Sequence, residues 1–348
     1  MNGHQLDSIR KYPDLWNTFT GKKDYHTTAS KYSGHDSESL MVPKVSEHLI
    51  NQGYQVRYPG GKPFAICLTH DVDDVYPPFS HKALASLCSL KSLDIRKFTN
   101  HLFWERKGGK FSPYMNFKQI MDLESRYNAK STFYFLATHR DPVRFRYNIE
   151  EITSELQEIL DNGWDVGLHG GYYSYNDIEA IKAEKDRLEK ALGREVLGYR
   201  NHYLRFKAPQ TWAHLEKCGF QYDTTYGFTN MVGFRNGMCH PFRPLNLNTG
   251  RQLEIFEIPL HIMDGALFDM TKSLRHAWYI TKKLIDSAAN CHGVLTVLWH
   301  NSVFNCPFRV KWKTIYEKIL NYGRKKDAWM TSGDEIWRWW QSNGNKTY

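Results

Sequence analysis

From residue 64 onward the chain repeats one pattern: a short run, mostly apolar, then a longer stretch with helical spacing. The apolar runs fall at 64–68, 131–136, 165–168, 196–199, 221–223, 253–258, 294–299 and 328–331. The first, 64–68, predicts a strand buried on both faces, and the others are read as further short strands. The intervening stretches predict helices over 117–127, 149–162, 177–192, 209–218, 274–289, 310–322 and 334–340. In the 177–192 helix, Glu184 with Arg187 and Lys185 with Glu189 sit at i,i+3 and i,i+4 spacing, which marks a solvent face. About eight short strands alternating with helices argue for a parallel α/β sheet, most simply a (β/α) barrel. In such a barrel the chemistry belongs at the C-terminal ends of the strands.

Two regions break the pattern. Residues 1–60 are polar and irregular apart from a helix predicted at 45–52, so they read as an N-terminal extension packed on a barrel spanning 61–342. The turn cluster Tyr58-Pro-Gly-Gly-Lys-Pro63 delivers the chain into the first strand. A long excursion separates Asp74 from Pro113, helical around 83–99 and loop-like through Gly108-Gly109. Long connections directly after a candidate active strand are often functional.

Composition changes this picture only a little. The chain of 348 residues is 24% charged and 41% hydrophobic, ordinary for a globular protein. Its net charge of +9 raises nucleic acid or an acidic surface as partners, but the basic residues are scattered. The one tight group, Arg324-Lys325-Lys326, reads as a solvated helix end, so neither nucleic acid nor a membrane is expected as partner. No apolar run approaches the ~18 residues of a membrane span, and the first residues lack the layout of a secretory leader. The six cysteines form no C-x-x-C pair and several lie in apolar segments, which predicts small buried hydrophobes in a reducing compartment, the cytoplasm by default. Aromatic residues make up 15% of the chain; most fill the core, though such rings also serve as flat stacking surfaces for sugars.

The candidate chemistry collects at the predicted strand ends. The first strand turns acidic at His70-Asp71-Val72-Asp73. If it stays extended, Asp71 and Asp73 share one face about 7 Å apart, with His70 and Val72 on the other. One carboxylate can then bind a metal ion while the other takes a proton. The third strand ends in His169-Gly-Gly, the fourth in Arg200-Asn-His202-Tyr203 and the seventh in His300-Asn301. One histidine at a strand end is commonly structural; several at the ends of strands that converge on one cleft point to a site. His261 and Asp264 follow the sixth strand, and either is a candidate to orient His300. The loop around His240 reads as a plain Pro/Gly connection that can border the cleft.

Thr69-His-Asp-Val-Asp73, Ser131-Thr-Phe-Tyr-Phe135, Gly167-Leu-His169, Arg200-Asn-His-Tyr203 and Leu298-Trp-His300 resemble, in order, the motifs of the polysaccharide deacetylase (NodB-homology) superfamily. The resemblance spans about 64–340 and implies an irregular (β/α) barrel of seven to eight parallel strands. Position by position, it implies that Asp71 is the general base and His300 the general acid. It further implies that Arg200 steers the base and that the backbone N–H of Tyr203 helps hold an oxyanion. For a metal, most simply Zn²⁺, it implies Asp73 and His169 as ligands. The first motif is a His-Asp-x-Asp variant. The family's second metal histidine, four residues after the first, is Tyr173 here, a poor zinc ligand at neutral pH with an ordinary pKa near ~10. His202 is the natural substitute because its strand is adjacent, His70 is the other candidate, and the site can also lack a tight metal. The activity implied is metal-dependent removal of an N-acetyl group from a sugar in a glycan or glycan precursor. The alternatives are a catalytically silent, carbohydrate-binding barrel and an amidase acting on a small non-sugar substrate.

Overall fold

The protein was analysed as a computed structural model. It describes residues 3–22, 31–32, 38–91, 95, 109, 112–139 and 146–343. Much of the stretch between 92 and 111, including the C-terminal part of the helix expected over 83–99, lies outside the described residues.

Eleven strands are present among the described residues: β1 Ala65–Val72, β2 Thr132–Leu136, β3 Asp165–Gly170, β4 Gly198–Asn201, β5 Tyr222–Asp223, β6 Leu245–Asn246, β7 Arg251–Gln252, β8 Phe256–Glu257, β9 Leu260–Met263, β10 Val294–Leu298 and β11 Trp329–Thr331. Nine form one sheet in the order β8-β5-β4-β3-β2-β1-β10-β9, with β11 also paired to β1, and every pairing in it is parallel. β6 and β7 make a small separate antiparallel hairpin. The sheet's two ends, β8 and β9, are one stretch of chain interrupted at Ile258-Pro259. Proline has no N–H to donate to a ladder, so the stretch pairs with β5 before the break and with β10 after it. The sheet thereby curls round until its edges meet in this segment. The result is the expected irregular (β/α) barrel.

Strand alternation sorts the side chains into two layers. Ile66 and Leu68 of β1 and Phe133 and Phe135 of β2 face outward, where they pack with Ile120, Ile315 and Leu320 of the surrounding helices. Ala65, Cys67, Tyr134 and Tyr222 face inward. They join Leu6, Ile9 and Phe19, then Val45 and Leu49, with Ile336 and Trp340 of the last helix. The N-terminal helices and the C-terminal helix thus seal the end of the barrel where the strands begin, and leave the other end to the polar residues.

Most predicted helices are present with small shifts, among them Phe117–Ser125, Ile178–Leu192, Leu274–Asn290 and Val310–Lys325. Asp177 caps the second of these, accepting from the N–H groups of Glu179 and Ala180. Four elements depart from expectation. Gly3–Arg10 and Pro13–Phe19 are helices inside the segment read as irregular, the latter started by a proline whose missing N–H costs nothing at a helix N-terminus. The run 253–258 is mostly loop, with only Phe256–Glu257 in the sheet. The adjoining β9 leads directly into a further helix, Asp264–Met270. Among the described residues no helix is long and apolar enough to cross a membrane.

Candidate active site

Asp71 lies at the top of the inward face of β1, above Cys67 and Thr69, and Asp73 follows just past the strand. β2, β3 and β4 pair next to β1 in turn, so the ends of β3 and β4 bring His169 and Arg200 in register beside one another. β10, on the other side of β1, delivers His300.

These residues make one cluster, in which Asp71, His169, Arg200 and His202 are buried and Asp73 and His300 are partly exposed. Asp73 Oδ1 lies 3.2 Å from His169 Nε2 and 3.5 Å from His202 Nε2, and Asp73 Oδ2 lies 3.7 Å from His300 Nε2. Asp71 faces His169 Nε2 at 3.6 Å with one oxygen and Arg200 Nη1 at 3.5 Å with the other. The sequence candidates Asp71, Asp73, His169, Arg200, His202 and His300 therefore meet at a single place. Tyr203 stands at its rim, its ring 4.6 Å from that of His202 and half exposed. Tyr173 is also exposed and has no part in the cluster. His70 points to the opposite face of β1, as alternation requires, and cannot join a site there.

His169, Arg200 and His300 are each held from behind. His169 Nδ1 donates to the Arg200 carbonyl at 2.9 Å, which fixes the tautomer and leaves the Nε2 lone pair facing the carboxylates. The fully buried Arg200 guanidinium donates through Nε to Thr224 Oγ1 at 3.0 Å and lies over the Tyr134 ring. His300 Nδ1 donates to Asp264 Oδ1 at 2.8 Å, and Asp264 Oδ2 accepts from the His300 backbone N–H at 2.9 Å. Of the two candidates to orient His300, Asp264 holds it; His261 is buried between the Met238 carbonyl and the Thr296 N–H. His240 is buried beside Ser46, Tyr54 and Trp340, among the residues that seal the far end of the barrel, and does not border the cleft.

Behind β1 sits a second buried cluster that sequence reasoning missed. Glu124, from the helix Phe117–Ser125, faces His70 Nε2 at 2.8 Å and accepts from Tyr316 Oη, Trp164 Nε1 and Ser131 Oγ. His70 Nδ1 donates to the Trp299 carbonyl at 2.7 Å. That bond ties the residue before Asp71 to the residue before His300.

Electrostatics separate the members of the site. Burial would raise Asp73, but the surrounding His202, His169 and His300 hold its carboxyl well below the usual range. Burial opposes charge on His169, yet Asp71 and Asp73 raise it. Burial wins at His202, which is lowered. At His300 burial is overcome by Asp264, with help from Asp73 and Asp71, and the imidazole is pushed up to about 10. The neighbouring Asp74 is raised to about 6 by burial and by Asp73.

Asp73, His169 and His202 each offer one ligand atom, and these atoms lie within 4.8 Å of one another. Two imidazoles and a carboxylate are a donor set suited to Zn²⁺ with coordination positions left open. Asp73 Oδ1 and His169 Nε2 are buried atoms without a hydrogen-bond partner, a costly arrangement that a cation between them would relieve. The residues present fit a divalent metal ion.

No family model and no curated protein sequence matches the chain. Solved structures do. A protein of Mycobacterium smegmatis, assigned provisionally as a polysaccharide deacetylase, superposes with a TM-score of 0.54 at 16% identity, covering 85% of this chain and 95% of its own. Peptidoglycan deacetylase PdaC of Bacillus subtilis superposes with a TM-score of 0.38 at 15% identity, covering 83% of this chain and 96% of its own. A CE4-family pseudoenzyme of Bacillus anthracis gives 0.41 at 12% identity, covering 80% of this chain and 66% of its own. The first of these similarities shows that the chain shares its fold with the Mycobacterium protein.

Proposed function

We propose that the protein is a metal-dependent hydrolase that removes an N-acetyl group from a sugar of a glycan or glycan precursor. The observation that carries this reading is the meeting of Asp73, His169 and His202 within 4.8 Å, flanked by the Asp71–Arg200 and His300–Asp264 pairs. The fold shared with a protein assigned as a polysaccharide deacetylase supports the same reading.

An amide is a poor electrophile, so its hydrolysis needs an activated water and a stabilised oxyanion. Asp73, His169 and His202 would hold the ion, Zn²⁺ as the first choice, which supplies Lewis-acid polarisation and a water of lowered pKa. Asp71 takes the proton of the attacking water, and Arg200 keeps that carboxylate aimed. The Tyr203 backbone N–H donates to the developing oxyanion. His300, protonated at neutral pH because Asp264 stabilises its charge, donates from Nε2 to the leaving amine. The C–N bond breaks as that proton arrives, giving a free amino sugar and acetate.

Acetate release from N-acetylglucosamine oligomers, set against release from small non-sugar amides with and without added Zn²⁺, tests the proposal. Zn-dependent release from the sugars is the expected result; release from the small amides alone would overturn it. The division of labour has its own test. Asp71→Asn should lower kcat by about 10²–10⁴-fold, the range for losing a general base, with Zn²⁺ affinity largely intact. Asp73→Asn should lose the metal. Equal metal loss in both variants would show that the two carboxylates share one role.

A further inference from the structure

We propose that the tyrosines beside the candidate site, Tyr203, Tyr172 and Tyr173, form a stacking subsite for a pyranose ring next to the sugar being deacetylated. The inference rests on the proposed function and extends it to the length of the substrate.

The rings form a continuous row leading outward from the cluster. Tyr203 lies 4.6 Å from His202, Tyr172 lies 5.6 Å from Tyr203, and Tyr173 lies 4.9 Å from Tyr172, centroid to centroid. The last two contacts are edge-to-face, at 84° and 81°. Tyr173 is 55% and Tyr203 50% exposed, in a protein whose other large aromatics are mostly buried. Exposed aromatic rings beside a polar site are an unfavourable surface unless something covers them, and the C–H face of a sugar ring is chemically matched to that task.

The row is also built to stay in place. Arg205 lies over Tyr172 and Tyr175, 4.2 and 4.5 Å from their ring centres, and its Nη1 donates to the Tyr172 carbonyl at 2.8 Å. Its guanidinium is thus spent on the rings and braces them from one side. Tyr203 and Leu204 both adopt left-handed backbone, with φ of 59° and 49°, which L side chains avoid. Leu204 is buried against Leu260 and Leu298 at the barrel mouth, and this anchorage holds the strained turn. The consequence of the strain is that Tyr203 projects outward beside His202 instead of packing inward. Strain maintained by surrounding structure next to a polar cluster is the mark of a surface shaped for a ligand. Tyr173, at the end of the row, touches none of the site's reacting groups and is the residue through which the subsite can be tested.

The experiment measures binding of chitotetraose and of monomeric N-acetylglucosamine to the full-length Zn-loaded protein by calorimetry. It compares wild type, Tyr173→Ala and Tyr173→Phe. The tetramer should bind wild type and Tyr173→Phe about tenfold tighter than the monomer, the scale expected of one stacked ring. Tyr173→Ala should lose most of that advantage while monomer and Zn²⁺ affinities stay as in wild type, which also shows that the variant is folded. A tetramer bound no tighter than the monomer, or equally tightly by wild type and Tyr173→Ala, overturns the subsite. The readout needs no turnover. A Tyr173-dependent preference without acetate release would leave the subsite standing and remove the proposed reaction. Release from the monomer without any length preference would do the reverse.

Discussion

At the scale of single residues, the question the sequence leaves open is which side chain joins Asp73 and His169 in a candidate metal site. Strand adjacency favours His202, and its Nε2 lies 3.5 Å from Asp73 Oδ1. His70, the other candidate, is spent on Glu124 and the Trp299 carbonyl behind the strand. The expected outcome of zinc titration is that His202→Ala weakens binding about as much as His169→Ala does. Tyr173→Phe should leave it unchanged, since the exposed hydroxyl belongs to no ligand set. Zinc binding by His202→Ala at the wild-type level would remove the three-ligand site. The members of the cluster were legible because each follows an apolar strand run, where barrel geometry must converge them. Asp264 was only half legible, as one of two residues beside the sixth strand. Glu124 was not legible at all: it lies in the last turn of its helix, 54 residues from His70, and nothing local distinguishes it from a solvent-facing glutamate.

At the scale of elements, strands buried on both faces announce themselves through their composition, and β1, β2, β3 and β10 fall where the apolar runs predict. β5 fills most of the run at 221–223, whereas β8 keeps only two residues of the run at 253–258 and is set by its pairing with β5. The helices Gly3–Arg10 and Pro13–Phe19 escaped notice because each buries few residues and takes its stability from packing under the barrel. Glycines inside the strands carry a signal that only the packed barrel explains. Gly198 in β4 lies against the Tyr222 ring of β5, so a Cβ there would overlap the ring inside a barrel with no room to yield. Gly198→Ala should destabilise the fold by about 1–3 kcal/mol, the cost of overpacking a well-filled core. It should also displace Arg200, two residues on, and lower activity beyond the stability loss. Urea denaturation with matched kinetics checks this, and an unchanged midpoint would mean that Tyr222 has space to move.

At the scale of the whole molecule, the barrel depends on a seam. The stretch from Phe256 to Met263 joins the two edges of the sheet, and His261 sits within it on β9. Its Nδ1 accepts from the Thr296 backbone N–H at 3.0 Å and its Nε2 donates to the Met238 carbonyl at 3.1 Å. The ring is therefore neutral, and a proton on Nδ1 would set two donors against each other across the β9–β10 pairing. Burial lowers its pKa to about 4, from an ordinary value of 6.5. Below pH 6.5 the unfolded chain takes up a proton that the folded chain refuses, so stability is present above that pH and is lost as the pH falls toward 4. Between pH 6.5 and 5 the loss from this one group is about 1.5 kcal/mol, since the slope reaches 1.36 kcal/mol per unit only once the unfolded histidine is fully protonated. Asp165, Asp223 and Glu184 work the other way, since burial raises them to about 6, 6 and 7, and their protonation favours the folded state on acidification. The net pH profile of the wild type mixes both signs, whereas a difference between variants isolates one. His261→Gln can keep an acceptor for Thr296 and a donor for Met238 without a titrating ring. Its stability deficit against wild type, measured by urea denaturation, should shrink by about 1.5 kcal/mol from pH 6.5 to 5. A deficit independent of pH would mean that His261 protonates freely in the folded protein, and that the seam is looser than its hydrogen bonds imply.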